Sequence, residues 1–215
     1  MDIPESTLEP IAIHEHNPAG KDGFDPLEDF FTAQQAMPDN WSKINLRTLT
    51  PFQRALLVID GTVTKFIEAY MMEPVDVIRL FQEQRSLSVD RAWLEASKGT
   101  EVIARQVLLR GQYSHKLYAY AVSLIVPGRL GYAEKQDLEM DGEGLGRILL
   151  NSRLENRREV LWYGRERAWK LPDAISHLNG TEFISRVYRI IAGGRPIMLI
   201  NEKFPSGADQ LPAHH

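Results

Sequence analysis

Cysteine is absent from the 215 residues. Its absence removes disulfides, thiolate zinc sites and thiol nucleophiles, and it agrees with a reducing, cytoplasmic setting. Long apolar runs are missing too. None approaches the ~18 consecutive residues of a membrane-spanning helix, and the acidic start MDIPESTLEP has no signal-peptide core. Basic charge is not in excess, with 25 Lys and Arg against 29 Asp and Glu, a net charge of −4. Nucleic acid is therefore not the expected partner, whereas a small anion needs only a local cation. The histidines of HEH (14–16) and His214–His215 lack any HExxH-type spacing, so no metal site is expected. GEGLG (142–146) does not lead from strand to helix with phosphate-loop spacing and reads as a turn.

What is present is enough apolar material, 43% of residues, for one domain with a genuine core. Residues 1–25 are rich in Pro, Glu, Asp and Gly and read as a disordered extension. Residues 206–215 read as a flexible tail, which leaves 26–205 as the domain. No internal repeat appears.

Helical signals come first. DPLEDFFTAQQAM (25–37) has Asp25 as a candidate N-cap with proline next to it. In LTPFQRALLVIDGTVTKFIEAY (49–70), Thr50 and Gln53 form a capping-box pattern around Pro51. Gly61 can stop that helix and Thr62 start another, with Leu56, Ile59, Val63, Phe66, Ile67 and Tyr70 as the buried stripe. From residue 74 the period changes to two. Six strands are predicted over 74–81, 101–110, 116–127, 157–164, 185–193 and 196–205. GQYSH and GGR are short enough links to make antiparallel hairpins. GEGLGRILLNS (142–152) reads as a short inserted helix, and SRLENRREV (152–160) as a solvated face. Helices gathered early and strands late predict an α+β fold: an antiparallel sheet of about six strands with helices packed on one face.

Two charges violate the alternation. Arg105 shares a strand face with Ile103, Val107 and Leu109, and Glu202 shares one with Met198, Ile200 and Phe204. Burying a lone charge costs on the order of several kcal/mol, so each must be paired, hydrated or used. Two readings stay open at this point. The charges can form structural salt bridges or lie on a covered outer face. Alternatively they line a pocket, where an arginine grips a carboxylate through its planar fork. A glutamic acid among apolar groups, its pKa raised, would then serve as a proton donor.

The segments IARQVLLRG, AVSLIVP, LGRILLNS and SRVYRIIAGGRPIMLINEKFP, in that order and preceded by DGTVTKFIE, resemble the chorismate pyruvate-lyase family. The likeness is closest to the branch of cyanobacteria, archaea and mycobacteria, and covers roughly residues 45–205. The resemblance implies a lyase that eliminates pyruvate from chorismate to give 4-hydroxybenzoate, without metal or organic cofactor, in a pocket enclosed between sheet and helices. Carried over by motif, the ligand-binding arginine falls on Arg105 and the acidic residue on Glu202. The Leu-Gly-Arg motif falls on Leu145, Gly146 and Arg147, and the helical position that closes on the ligand on Val63, where better-known bacterial members have Met. A second cation is needed for the enolpyruvyl carboxylate, and Arg147, Arg186 and Arg189 are the candidates. Arg186 and Arg189 point to opposite faces, so at most one of those two qualifies. Two other functions compete: a non-catalytic sensor domain for aromatic acids, which shares this fold, and a related enzyme running another reaction on chorismate. The segment before residue 45 is too short and too acidic for the DNA-binding domain such sensors carry. The likeness leaves monomer and small homo-oligomer equally open.

Overall fold

The computed structural model describes Leu27 and residues 30–139 and 155–205. Six strands form one antiparallel sheet: β1 (Val75–Ser86), β2 (Glu101–Gly111), β3 (Leu117–Ile125), β4 (Asn156–Arg167), β5 (Glu182–Ala192) and β6 (Arg195–Pro205). Their order is β1-β2-β3-β6-β5-β4. Two three-stranded meanders thus meet along their last strands, β3 and β6. The tight β5–β6 connection has a local cause. Gly193 and Gly194 both adopt positive φ, 56° and 75°, the geometry of a two-residue turn whose twist matches that of the flanking strands. β5 and β6 are buried along nearly their whole length, as strands covered on both faces must be.

Two α-helices cover one face. α1 (Pro51–Val58) opens with the expected capping box: Gln53 Oε1 accepts from the Thr50 amide at 3.0 Å, and Thr50 Oγ1 from the Gln53 amide at 3.3 Å. α2 (Val63–Met71) follows, with Thr62 in the N-cap position but no side-chain cap hydrogen bond. Phe52, Leu56, Leu57, Val63, Ile67 and Met71 pack onto Leu109, Ala119, Ile184 and Phe204 of the sheet. Tyr70 departs from the expected stripe. It is largely exposed and lies against the Phe52 ring. A third helix, α3 (Tyr132–Glu139), sends Leu138 into a second cluster with Ile125, Tyr188, Met198 and Ile200. The opposite face is covered by short 3-10 turns, whose Leu94 packs beside Val102 and whose Ile175 packs beside Leu108 and Tyr120.

Residues 25–37 do not form the expected helix where they are described. Only Gln34–Ala36 is helical, a single 3-10 turn. The amides of Thr32 and Ala33 instead donate to the carbonyls of Val160 and Leu161. Gln34 exchanges two side-chain hydrogen bonds with the backbone of Tyr163, and Ser42 bridges Arg165. β4 is an edge strand, and its unpaired backbone groups outbid local helix propensity. Gly164 permits this approach, since a Cβ there would lie 2.7 Å from Met37 Sδ and 3.1 Å from the Ser42 carbonyl oxygen.

Glu73 pins the turn into β1. Its carboxylate accepts from the amides of Tyr113 and Ser114 at 3.1 and 3.0 Å, from Ser114 Oγ at 2.7 Å and from Tyr118 Oη. Burial pushes its pKa up, but these donors outweigh burial and bring it down to about 2. Because the folded value lies below the unfolded one, the stabilisation is complete above about pH 4.5 and disappears as pH falls toward 2. Glu73→Gln is therefore expected to lower stability near neutrality by about 2–3 kcal/mol. It should also flatten the acid limb of the stability–pH profile, measured by urea unfolding between pH 2 and 7. An unchanged acid limb would show that Glu73 is not the group responsible.

Candidate active site

The charges singled out by alternation lie where alternation put them. One row across the helix-covered face runs Arg105, Ser123, Ile200, Tyr188, Val160 on β2, β3, β6, β5 and β4; the next runs Val107, Ala121, Glu202, Arg186. Arg105 and Glu202 are thus two strands apart, roughly 10 Å along the sheet. The strand between them presents only the small residues Ala121 and Ser123. These leave a partly open cavity of about 60 Å³, bounded by Arg105, Glu202, Tyr188 and Ile200 on the sheet and by Gly61, Thr62 and Val63 above.

Glu202 is tied to its neighbours. Arg186 Nε donates to Glu202 Oε2 at 2.9 Å, and Tyr188 Oη to Oε1 at 3.0 Å. Arg186 and Glu202 are 0% and 7% exposed, so Glu202 sits in a buried salt bridge, but its partner is Arg186 and not Arg105, the pairing the salt-bridge reading expected. Both carboxylate oxygens act as acceptors, which leaves this geometry offering no support for the proton-donor role. Burial first, and the adjacent Glu202 charge second, push the Tyr188 phenol well above its ordinary range, so it stays protonated as a donor. The Arg186 guanidinium lies 5.1 Å from the Tyr188 ring centre, a cation–π contact. Its Nη1 reaches across to the carbonyls of Leu57 and Ile59 at 3.1 and 3.0 Å. These are carbonyls at the end of α1, so a sheet arginine satisfies the helix terminus. The helix ends at Val58 with Ile59 as its C-cap, two residues before Gly61.

Arg105 is 1% exposed. Its Nε and Nη1 are buried without a hydrogen-bond acceptor, other interactions holding the residue in place. Val63 occupies the first turn of α2, buried at the cavity wall. Leu145, Gly146 and Arg147, the inserted helix of 142–152, the HEH and His214–His215 histidines, and the two terminal segments lie outside the described residues.

Two expectations are corrected. Arg189 points to the opposite face, as the alternation of β5 requires. There it bonds Glu159 at 3.2 Å and Glu95 at 3.2 Å, above the Trp93 ring, with no access to the cavity. Arg158, which the run SRLENRREV placed on a solvated face, lines the cavity instead. The signal was available: Arg158 sits two residues before Val160 on the same strand face, the pattern that marked Arg105 and Glu202. A neighbouring cavity of about 200 Å³ shares Arg158 and Tyr188 as walls and opens beneath Ile59 and Asp60. Ligand pockets usually reach about 300 Å³ or more, and neither chamber does so by itself.

Among the described residues no helix is long and apolar enough to cross a membrane. The chain is similar to several known proteins. Its residues 57–211 match the family model described as chorismate pyruvate-lyase, Rv2949c-like. It is 30% identical over 165 residues to a chorismate pyruvate-lyase of Mycobacterium leprae, covering 76% of this chain and 78% of that one. It is 28% identical over 164 residues to a protein of the same name from Mycobacterium tuberculosis, covering 74% and 82%. Among solved structures, the effector domain of PhnF from Mycobacterium smegmatis superposes with a TM-score of 0.53 at 10% identity, over 72% of this chain and 95% of that one. That last likeness concerns the fold. With a family match spanning most of the sequence and a relative 30% identical over most of both chains, the chain belongs to the Rv2949c-like chorismate pyruvate-lyase family.

Proposed function

We propose that the protein eliminates pyruvate from chorismate to give 4-hydroxybenzoate. The observation that carries this reading is the placement of Arg105 and Glu202 on the wall of one cavity, two strands apart, in a chain of this family. In the elimination the ring C3–oxygen bond breaks, the hydrogen on C4 is lost and the enolpyruvyl methylene gains one. Atoms balance without an outside oxidant or reductant, and aromatisation drives the reaction. The protein's task is then positioning and charge placement. Arg105 meets the ring carboxylate bidentately. Glu202, oriented by Arg186 and Tyr188, accepts a hydrogen bond from the C4 hydroxyl at the far end of the ring. Val63 and Ile200 supply apolar walls that exclude water. Leu145, Gly146 and Arg147 complete the site by motif.

The expected outcome is that purified protein incubated with chorismate releases pyruvate and 4-hydroxybenzoate in equal amounts, followed by chromatography. A different product would indicate another reaction on the same substrate. Tight binding with no turnover would indicate an aromatic-acid sensor.

A further inference from the structure

We propose that Arg158 anchors the second carboxylate of the substrate, at the junction of the two cavities, and that Asp60 occupies this anchor when no ligand is bound. The inference rests on the lyase reading and adds a subsite to it. Chorismate carries two carboxylates, so its site needs two cations. Among the described residues, the charged side chains on the smaller cavity are Arg105, Arg158 and Glu202, and Glu202 already has Arg186. Arg186 is held through Nε by Glu202 and through Nη1 by the α1 carbonyls; its buried Nη2 has no hydrogen-bond partner, but it lines only the larger cavity, and Arg189 is on the other face. Among the described arginines Arg158 is the one that borders both cavities, which favours it over Arg147 as the second anchor.

Its surroundings suit an exchangeable partner. The side chain is 15% exposed, and its Nε is buried without a hydrogen-bond partner. Its ion pair with Asp60 is long, 3.6 Å through Nη1 alone, and Asp60 is 69% exposed on the link between α1 and α2. Such a contact contributes little, so an incoming carboxylate that also satisfies Nε displaces it. The same link roofs the smaller cavity, so exchanging Asp60 for substrate loosens the roof at the moment the ligand needs room. With the ring at Arg105, the enolpyruvyl group extends past Tyr188 into the larger chamber. 4-Hydroxybenzoate has a single carboxylate and makes no use of Arg158. The subsite therefore distinguishes substrate from product.

The test compares Arg158→Gln, Arg158→Lys and Asp60→Asn with the wild type. Arg158→Gln should raise KM for chorismate by about 10- to 100-fold, while inhibition by 4-hydroxybenzoate stays within about twofold. Arg158→Lys should recover part of the loss, because it restores charge without the planar fork. Asp60→Asn should lower KM by a few-fold. If Arg158→Gln weakens substrate and product equally, or neither, the subsite is wrong even though the lyase reading stands. If the wild type binds chorismate without turning it over, the lyase reading fails by itself. The same variants, titrated calorimetrically with chorismate and with 4-hydroxybenzoate, then decide the subsite. Wild-type protein that binds neither compound overturns both.

Discussion

Arg186→Met is expected to remove about 3–5 kcal/mol of stability, the largest effect of any single substitution in the site. Small domains have roughly 5–15 kcal/mol in total, so the variant should be near the limit of folding. Three losses coincide. Glu202 would be left as a buried carboxylate without its cation, and the carbonyls of Leu57 and Ile59 would lose their donor. Methionine roughly fills the volume, so the loss reports on polar partners more than on packing. The measurement is urea unfolding followed by circular dichroism, reading the shift in midpoint. Arg186→Met combined with Glu202→Leu should recover much of the loss, because replacing both members of a buried pair is often near neutral while removing one is not. A single variant within 1 kcal/mol of the wild type would rule out the structural role assigned to Arg186.

Arg105→Ala is expected to lower kcat/KM for chorismate by about 100- to 1,000-fold, with a comparable loss of affinity for 4-hydroxybenzoate. Two charge-assisted hydrogen bonds to one carboxylate, in a cavity with little water, correspond to about 3–4 kcal/mol. Losing both substrate and product separates Arg105 from Arg158, whose loss should affect the substrate alone. Arg105→Lys should recover little, since an ammonium lacks the planar pair of donors. Steady-state kinetics with product inhibition provides both readings. Retention of turnover within threefold by Arg105→Ala would remove Arg105 from the site.

Several features of the fold are legible in the chain because their causes are local. The capping box at Thr50 and Gln53 needs only neighbouring residues, and so does the Gly193–Gly194 turn. Strand alternation depends on the backbone alone, so Arg105 and Glu202 could be assigned to the buried face, and Arg186 and Arg189 to opposite faces, before any coordinates. Alternation held equally for Arg158. There the charge-rich run SRLENRREV outweighed the rule, although the Arg158 side chain is only 15% exposed.

Partnership could not be read in this way. Whether Arg105 or Arg186 neutralises Glu202 depends on β5 being the neighbour of β6, with Arg186 in direct register. The carbonyl of Leu57 at the end of α1 is satisfied by an arginine 129 residues away. Residues 30–37 gave up the helix expected over 25–37 because β4 offers an open edge, and the cavity exists because β3, with Ala121 and Ser123, lies between the strands carrying Arg105 and Glu202. Local geometry decides which way a side chain points. What it meets there is decided by strand order and layer packing, which bring together residues with no trace of each other in the neighbouring sequence.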